Sequence, residues 1–222
     1  MTRDQSLDQA QMSRTSRRIL QATLQLYREI GHKKTTVADI ARRAGMSPAN
    51  VYRFFRSRQQ IEEAVVTEAL DDVFKAASTA AETGASPSHR LEAVIRAIAE
   101  RHARRRTDDI RVHELVAEAS EARWPVALAH EGSIAGLLAS LIAAGQAAGE
   151  IGDGSAATLA RCLFAALDAH LSAARVAAAG TTLDEMIGFC LSALRPAPFI
   201  KRQACRSCPE WSRISAEGAV PS

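Results

Sequence analysis

Hydrophobic positions in this chain recur every three or four residues along nearly its whole length, the period of an amphipathic helix. From about Arg14 to Ile30, Ile19, Ala22, Leu26 and Ile30 fall on one stripe, widened by Leu20 and Tyr27. Gly31 follows as a stop, because glycine adopts the left-handed conformation without a Cβ penalty. A second helix starts at Thr36, whose hydroxyl and the Asp39 carboxylate have capping-box spacing. Val37, Ile40, Ala41 and Ala44 form its buried side, and it stops at Gly45. Ser47 is a good N-cap for a third helix, with Pro48 at the first helical position, where no N–H is needed. Val51, Phe54 and Phe55 are its apolar positions. Ser57 begins a fourth helix, with Gln60 as capping partner and Ile61, Ala64, Val65, Ala69, Leu70 and Val73 along it.

The segment 83–88 (TGASPS) reads as a break. The next helix, from about Ser88, carries Leu91, Val94, Ile95 and Ile98 on one face and ends in Arg104-Arg105-Arg106. Asp108 or Asp109 is expected to cap a helix to about Ala122, and Trp124-Pro125 opens another to about Ala148. After a loop from Gly149 to Gly154, two more helices fit Ser155–Ala179 and Leu183–Leu194. No stretch alternates with period two over a strand length, and no repeat is visible. The fold class expected is all-α, with about nine helices. Four segments are expected: a disordered N-terminal arm over 1–13, a three-helix domain over 14–60, a larger helical domain over 61–195, and a disordered tail over 196–222.

Composition sharpens this picture. Alanine, the best helix former, supplies much of the apolar content, and aromatic residues make up only 5%. No apolar run reaches the roughly 18 residues that suggest a membrane span, and residues 1–13 lack a signal-peptide apolar segment; a cytoplasmic chain with no membrane partner is expected. Cys162, Cys190, Cys205 and Cys208 do not make a disulfide scaffold in a chain this long. The pair Cys205 and Cys208 is half of a four-cysteine metal site without the other half, no histidines sit at i, i+4, and neither a metal nor a cofactor is expected. Charge is distributed unevenly. Residues 1–60 hold twelve Lys/Arg against four Asp/Glu, +8 in all, while the remainder holds sixteen against twenty-one, −5. A basic head on an acidic body is the electrostatic footprint of a polyanion-binding module.

The head has the internal spacing of a helix-turn-helix. Two helices that cross closely need a small residue at the contact, a turn residue tolerant of positive φ, and an apolar anchor on the second helix facing the first. Ala41, Gly45 and Val51 meet these needs in that order. Residues 17–65, through RRILQATLQLYREIG, KKTTVADIARRAGMSPANVYRFFRSRQQIEEAVV and their unbroken spacing, resemble the DNA-binding domain of the TetR family of regulators. Three positions differ from the usual pattern: Ala49 stands for a common glycine, Phe54 for a His or Tyr, and Arg58 for a lysine.

The resemblance implies a one-component transcriptional regulator, a repressor that binds palindromic operator DNA as a homodimer and is released by an unidentified small-molecule effector. Helix 47–54 would enter the major groove with its N-terminal residues toward the base edges. Pro48, Ala49, Asn50 and Arg53 are candidate base readers. Asn50 is suited to bidentate pairing with adenine, Ala49 to a thymine methyl, and Arg53 to guanine or phosphate. Thr36, Ser47, Tyr52 and Arg58 are candidate phosphate contacts, with Lys34 a weaker one. The last two helices would pack with their symmetry mates as a four-helix bundle, with Ala165, Ala166, Ala169, Ala173 and Ala177 allowing close approach. A ligand pocket between helices needs apolar walls and a few polar groups; His102, His113, Glu114, Trp124, His130 and His170 are the candidates. The fourth helix, which joins head to body, would carry the switch. The competing readings are a helical interaction scaffold, or a regulator that activates or answers to a protein partner. No nucleophile elbow, phosphate loop or carboxylate constellation points to an enzyme.

Overall fold

The computed structural model describes residues 2–171 and 180–196, with side chains from Ser13 onward. The described residues form ten helices and no strand: α1 (Thr2–Ile30), α2 (Val37–Arg43), α3 (Pro48–Phe54), α4 (Arg58–Ala81), α5 (Pro87–Asp108), α6 (Ile110–Glu121), α7 (Pro125–Ala147), α8 (Ala156–Ala166), α9 (Asp168–Leu171) and α10 (Leu183–Leu194). The expected tail, with Cys205 and Cys208, and the positions Ala173 and Ala177 lie outside the described residues.

Local chemistry explains most of the boundaries. Thr36 and Asp39 close the expected capping box on α2. Ser47 Oγ accepts from the Asn50 N–H, and Pro48 opens α3. Ser57 Oγ accepts from the Gln60 N–H at 3.2 Å, but the Gln60 side chain accepts from Arg56 N–H and not from Ser57. Two expectations need correction. Helix α1 starts at Thr2, through the segment expected as a disordered arm: residues 2–13 contain neither glycine nor proline, so nothing local stops the helix there. The helix expected over 155–179 breaks after Ala166, where Leu167 forms a buried turn between α8 and α9. Neither glycine nor proline marks that break.

Three apolar clusters stack along the molecule, and α4 runs through all of them. Ile61 joins Ile19, Leu26, Ile40, Ala41 and Val51 in the head. Val65, Val66 and Leu70 pack with Tyr27 of α1, with Val112, Leu115 and Val116 of α6, and with Ala127 of α7. Val73 and Ala77 enter the main body core with Leu91, Val94, Ile95, Ile98, Leu138 and Ile142. The expected domain boundary at 60/61 therefore falls inside one continuous helix. The stripe read on α5 is buried at all four positions.

Helix α7 corrects the reading of apolar runs. By length and composition it could cross a membrane, because alanine and glycine fill a window with few charges. In this fold it packs against α4, α5 and α8, burying Ile134, Leu138, Leu141, Ile142 and Gly145.

Candidate nucleic-acid interface and effector cavity

The short helix α3 is held by one deeply buried residue. Val51 is fully buried against Ala41 and Ile40 of α2 and Ile19 of α1. The turn between α2 and α3 passes through Gly45 at φ +63°, a left-handed conformation that favours glycine. The Gly45 carbonyl accepts from Arg18 Nη2 of α1 at 3.2 Å. Arg43 on α2 forms a two-pronged pair with Glu29 of α1 at 2.8 and 2.6 Å. Bidentate guanidinium–carboxylate pairs fix orientation as well as position, so α2 and α3 are set at a defined angle to α1. Sequence reasoning missed Arg18 and Glu29 as buttresses. No sequence spacing marks either residue, and only the fold brings them to the turn.

The outer face of α3 presents the expected residues. Pro48, Ala49 and Arg53 are exposed, as is Ser47, and Tyr52 is 48% exposed despite its ring. Asn50 is half-buried, and its amide donates to the Met46 thioether at 3.7 Å. Lys34 is exposed in the loop before α2. Thr36 is exposed but its hydroxyl is engaged: it accepts from Asp39 N–H at 3.2 Å and donates to Asp39 Oδ2 at 2.6 Å. Those hydrogen bonds from Thr36, ahead of the Arg42 charge, hold the Asp39 carboxyl below its usual range.

Arg58 behaves differently from the others. Its guanidinium is half-buried and donates to Glu62 Oε1 at 2.9 Å and to the His32 carbonyl at 2.7 Å. It ties α4 to the loop between α1 and α2, so the phosphate contact expected of it competes with internal bonds. The reason is its place in the first turn of α4, over the chain leaving α1.

In the body, α4, α5, α6, α7, α8 and α9 enclose a cavity of about 40 Å³. His102 of α5 and His130 of α7 meet there, with Ser120, Glu131 and Asp168. Leu70, Ile98, Ile134, Phe164 and Leu171 make the apolar walls. Burial, then the nearby Arg105 charge, pulls the His102 imidazole down to about 3. The same two causes pull His130 down to about 4. Both rings are therefore neutral near pH 7.

Of the six residues expected at a ligand, the cavity brings together only these two. His113 is buried on α6 outside the lining. His170 is buried on α9, with Nε2 3.5 Å from the Thr181 hydroxyl. Trp124 packs on the central cluster with Leu70 and Ala127. Glu114 lies on the exposed side of α6 and faces an open groove against Ile30–Lys34. Its neighbours Val112, Leu115 and Val116 take the buried stripe, which leaves Glu114 turned outward. Ser120, Glu131 and Asp168 were missed, since no sequence spacing marks residues that converge from three separate helices.

Arg28 Nε donates to Asp109 Oδ2 at 2.7 Å, across from α1 to the start of α6. Asp109 occupies the capping position expected of it, but its side chain makes no cap hydrogen bond; the Arg28 partner takes it instead. Arg111 donates to the Glu29 carbonyl, and Lys33 Nζ and His32 Nε2 each lie 3.3 Å from Glu118 Oε2. Helix α6 thus touches the head at several points along its length.

Comparison with known proteins agrees with this architecture. Residues 19–65 match the bacterial regulatory proteins of the tetR family, and residues 87–185 match the tetracyclin repressor-like C-terminal domain. The HTH-type transcriptional repressor KstR2 of Mycolicibacterium smegmatis is 36% identical over 89 residues, 38% of this chain and 43% of that protein. The HTH-type transcriptional regulator YvkB of Bacillus subtilis is 37% identical over 57 residues, 26% of this chain and 30% of that protein. These alignments span less than half the length of either curated relative. A tetR-family regulatory protein from Rhodococcus RHA1 superposes with a TM-score of 0.56 at 18% identity, over 83% of this chain and 98% of that one. A TetR/AcrR-family regulator from Thermobifida fusca superposes with a TM-score of 0.56 at 22% identity, over 81% and 98%. At such identities the superpositions speak for the fold. The two family matches, one on the head and one on the body, together span well over half of the sequence, and the chain belongs to the TetR family of bacterial regulatory proteins.

Proposed function

We propose that this protein is a homodimeric transcriptional repressor that reads palindromic operator DNA with α3 and is released by a small molecule bound in the body. The observation that carries this reading is the division of α3 into two faces. Val51 is buried against α1 and α2, while Pro48, Ala49, Tyr52 and Arg53 stand exposed on a helix braced by Arg18 and Arg43. Such a helix fits the major groove, with Pro48, Ala49, Asn50 and Arg53 near base edges and Tyr52, Ser47, Thr36 and Lys34 toward phosphates. Arg58 joins them only by giving up its bonds to Glu62 or His32.

The cavity supports the second half of the reading. It is apolar-walled with a few convergent polar groups, the form that small-molecule sites take. An effector larger than a few atoms must widen it, which is how a ligand would favour one arrangement of helices over another. Pairing of two copies through α8 and α10 is supported by Phe189, which is 67% exposed beside Leu159 and Cys162.

The test is selection of duplexes from a random pool by the purified chain, followed by salt titration of the winners. The expected result is a palindrome with half-sites roughly 34–36 Å apart, and affinity that falls with log–log slope of about −0.9 per phosphate neutralised. Failure to enrich any sequence overturns the reading.

A further inference from the structure

We propose that the cavity lined from α5, α6, α7 and α9 binds a protonated amine on an apolar stem, with Glu131 as the charge partner of the ammonium group. The inference rests on the reading of the chain as a ligand-released regulator, and it names the chemical class of the molecule that the body takes.

The balance of donors and acceptors around the cavity points to this class. Glu131 of α7 and Asp168 of α9 each bring a carboxylate, which only accepts. The Ser120 hydroxyl donates its hydrogen to the Val116 carbonyl at 2.9 Å, so toward a ligand it accepts too. A neutral imidazole has one accepting and one donating nitrogen. All five polar side chains of the lining therefore offer acceptors, and only His102 and His130 offer a donor as well. The matching ligand group is one with several N–H bonds and no acceptor, and an ammonium group has three.

Charge points the same way. Glu131 is half-buried and makes no hydrogen bond or ion pair among the described residues. No lysine or arginine among the described residues lines the cavity. Arg105 acts on both imidazoles from outside the lining, but it donates to the Ala69 carbonyl and its charge is met by Asp72 and Asp109. An anion placed in the cavity would face two carboxylates, and burial strengthens that repulsion. A cation instead gives a partly buried carboxylate the partner it lacks.

His102 extends the polar site inward. Its ring is 4% exposed, and Nδ1 has no hydrogen-bond partner. Buried polar atoms rarely stay unmatched. In the neutral ring one nitrogen is a bare acceptor, which suits an N–H group and not a carbonyl.

Leu70, Ile98, Ile134, Phe164 and Leu171 supply the apolar wall. At about 40 Å³ the cavity takes an ammonium head and the first carbons of a stem. A longer stem displaces the wall, and Leu70 belongs to α4, whose Ile61 is packed in the head. Stem length thus sets how far a bound amine acts on the head.

The experiment is calorimetry on the full chain without DNA, comparing three probes with the same stem: hexylamine, 1-hexanol and hexanoate. Near pH 7 the amine is protonated, as a lysine side chain is. Hexylamine is expected to bind about tenfold more tightly than 1-hexanol, and hexanoate to give no saturable binding. Glu131→Gln removes the charge and keeps the shape. It should bring hexylamine down to the level of 1-hexanol and leave 1-hexanol unchanged. Glu131→Asp keeps the charge and should keep a preference for the amine. Glu114→Gln removes an exposed carboxylate of α6 outside the lining and should change none of the three.

Other results overturn the proposal. Hexanoate binding as tightly as hexylamine assigns the site to anions. Equal binding of hexylamine and 1-hexanol makes the site indifferent to charge, and no binding of hexylamine removes the class altogether. An amine preference that survives Glu131→Gln, or is lost in Glu114→Gln, puts the charge partner elsewhere. Loss of amine and alcohol alike in both Glu131 variants makes Glu131 a support of the fold. Operator release is read separately, by fluorescence anisotropy on a duplex selected by the wild type. If hexylamine binds as expected and releases no DNA, the ligand class stands and ligand-driven release fails. If the wild type selects no duplex, the regulator reading fails, and calorimetry alone decides the cavity.

Discussion

Val51 and Tyr52 are consecutive, yet one is fully buried and the other is 48% exposed. That contrast was legible in the sequence because a helix turns each residue by a fixed angle: an apolar anchor at 51 commits 49, 52 and 53 to other faces. It also separates two predictions. Tyr52→Ala should weaken all operators alike, since a phosphate contact carries no sequence information. Asn50→Ala should relax preference at a single base pair, by roughly 1–3 kcal/mol if its contact is bidentate. Titrations against a panel of point-substituted operators distinguish them, and a uniform loss from Asn50→Ala would remove it from base reading. The Asn50 amide must first leave the Met46 thioether, a weak acceptor that yields easily. Gly45 makes a prediction about stability. A Cβ there would lie 2.8 Å from Arg18 Nη2, on a backbone at φ +63°. The arginine can swing away, but only by giving up its bond to the Gly45 carbonyl, and the left-handed strain stays. Gly45→Ala should therefore cost about 1–2 kcal/mol in urea unfolding. An unchanged midpoint would show that the turn relaxes. Arg58 shows where residue-level reading stops: its partners, Glu62 and the His32 carbonyl, become neighbours only when α4 folds back over the loop.

Among elements, the helix starts were the most readable features, because a cap is a local transaction between a hydroxyl and an N–H three residues on. Thr36, Ser47 and Ser57 all cap where the sequence places them. Starts and breaks without such a signal were not readable. Helix α1 runs on to Thr2 for want of a stop, and the turn at Leu167 is set by what packs around it. Much of the polar lining of the cavity was equally hidden: His102 and His130 were expected, but Ser120, Glu131 and Asp168 were not, since the lining is gathered one or two residues at a time from α5, α6, α7 and α9. That lining has a measurable consequence. His102 of α5 and His130 of α7 are held neutral by burial first and by Arg105 second, at about 3 and about 4 against an ordinary 6.5. Their folded values lie below the unfolded one, so the folded state binds fewer protons. The stability they allow is fully present above pH 6.5 and is lost as pH falls toward the folded values. Each unit below 6.5 should withdraw about 1.4 kcal/mol per ring until that ring protonates in place. Urea midpoints between pH 7 and pH 4.5 check this, and His102→Gln should make the decline shallower. A decline as steep in His102→Gln as in the wild type would mean that other groups cause it.

For the whole molecule, the question is what covers the face shared by α8 and α10. Helix α8 buries Ala160 and Leu163 toward the core, while Cys162, Ala165 and Ala166 remain exposed. Phe189 of α10 stands over the same strip, 67% exposed, in a shallow groove with Leu159 and Ala193. A large aromatic left open beside small side chains is an inexpensive place for a second copy to dock, since the small residues let helices approach closely. In the proposed reading one head covers half a palindrome, so the pairing would also set operator affinity. Joining two weak half-site contacts multiplies affinity by roughly 10²–10⁴ when both can engage at once. Phe189→Asp puts a charge at the centre of the strip and touches neither the core nor α3. It should sediment as a monomer at concentrations where the wild type is a dimer, with helical content unchanged. Its affinity for a full palindrome should fall to that for an isolated half-site. If Phe189→Asp still sediments as a dimer and binds the palindrome as before, the two heads are brought together by some other face, and the exposed phenylalanine must be explained without a second copy.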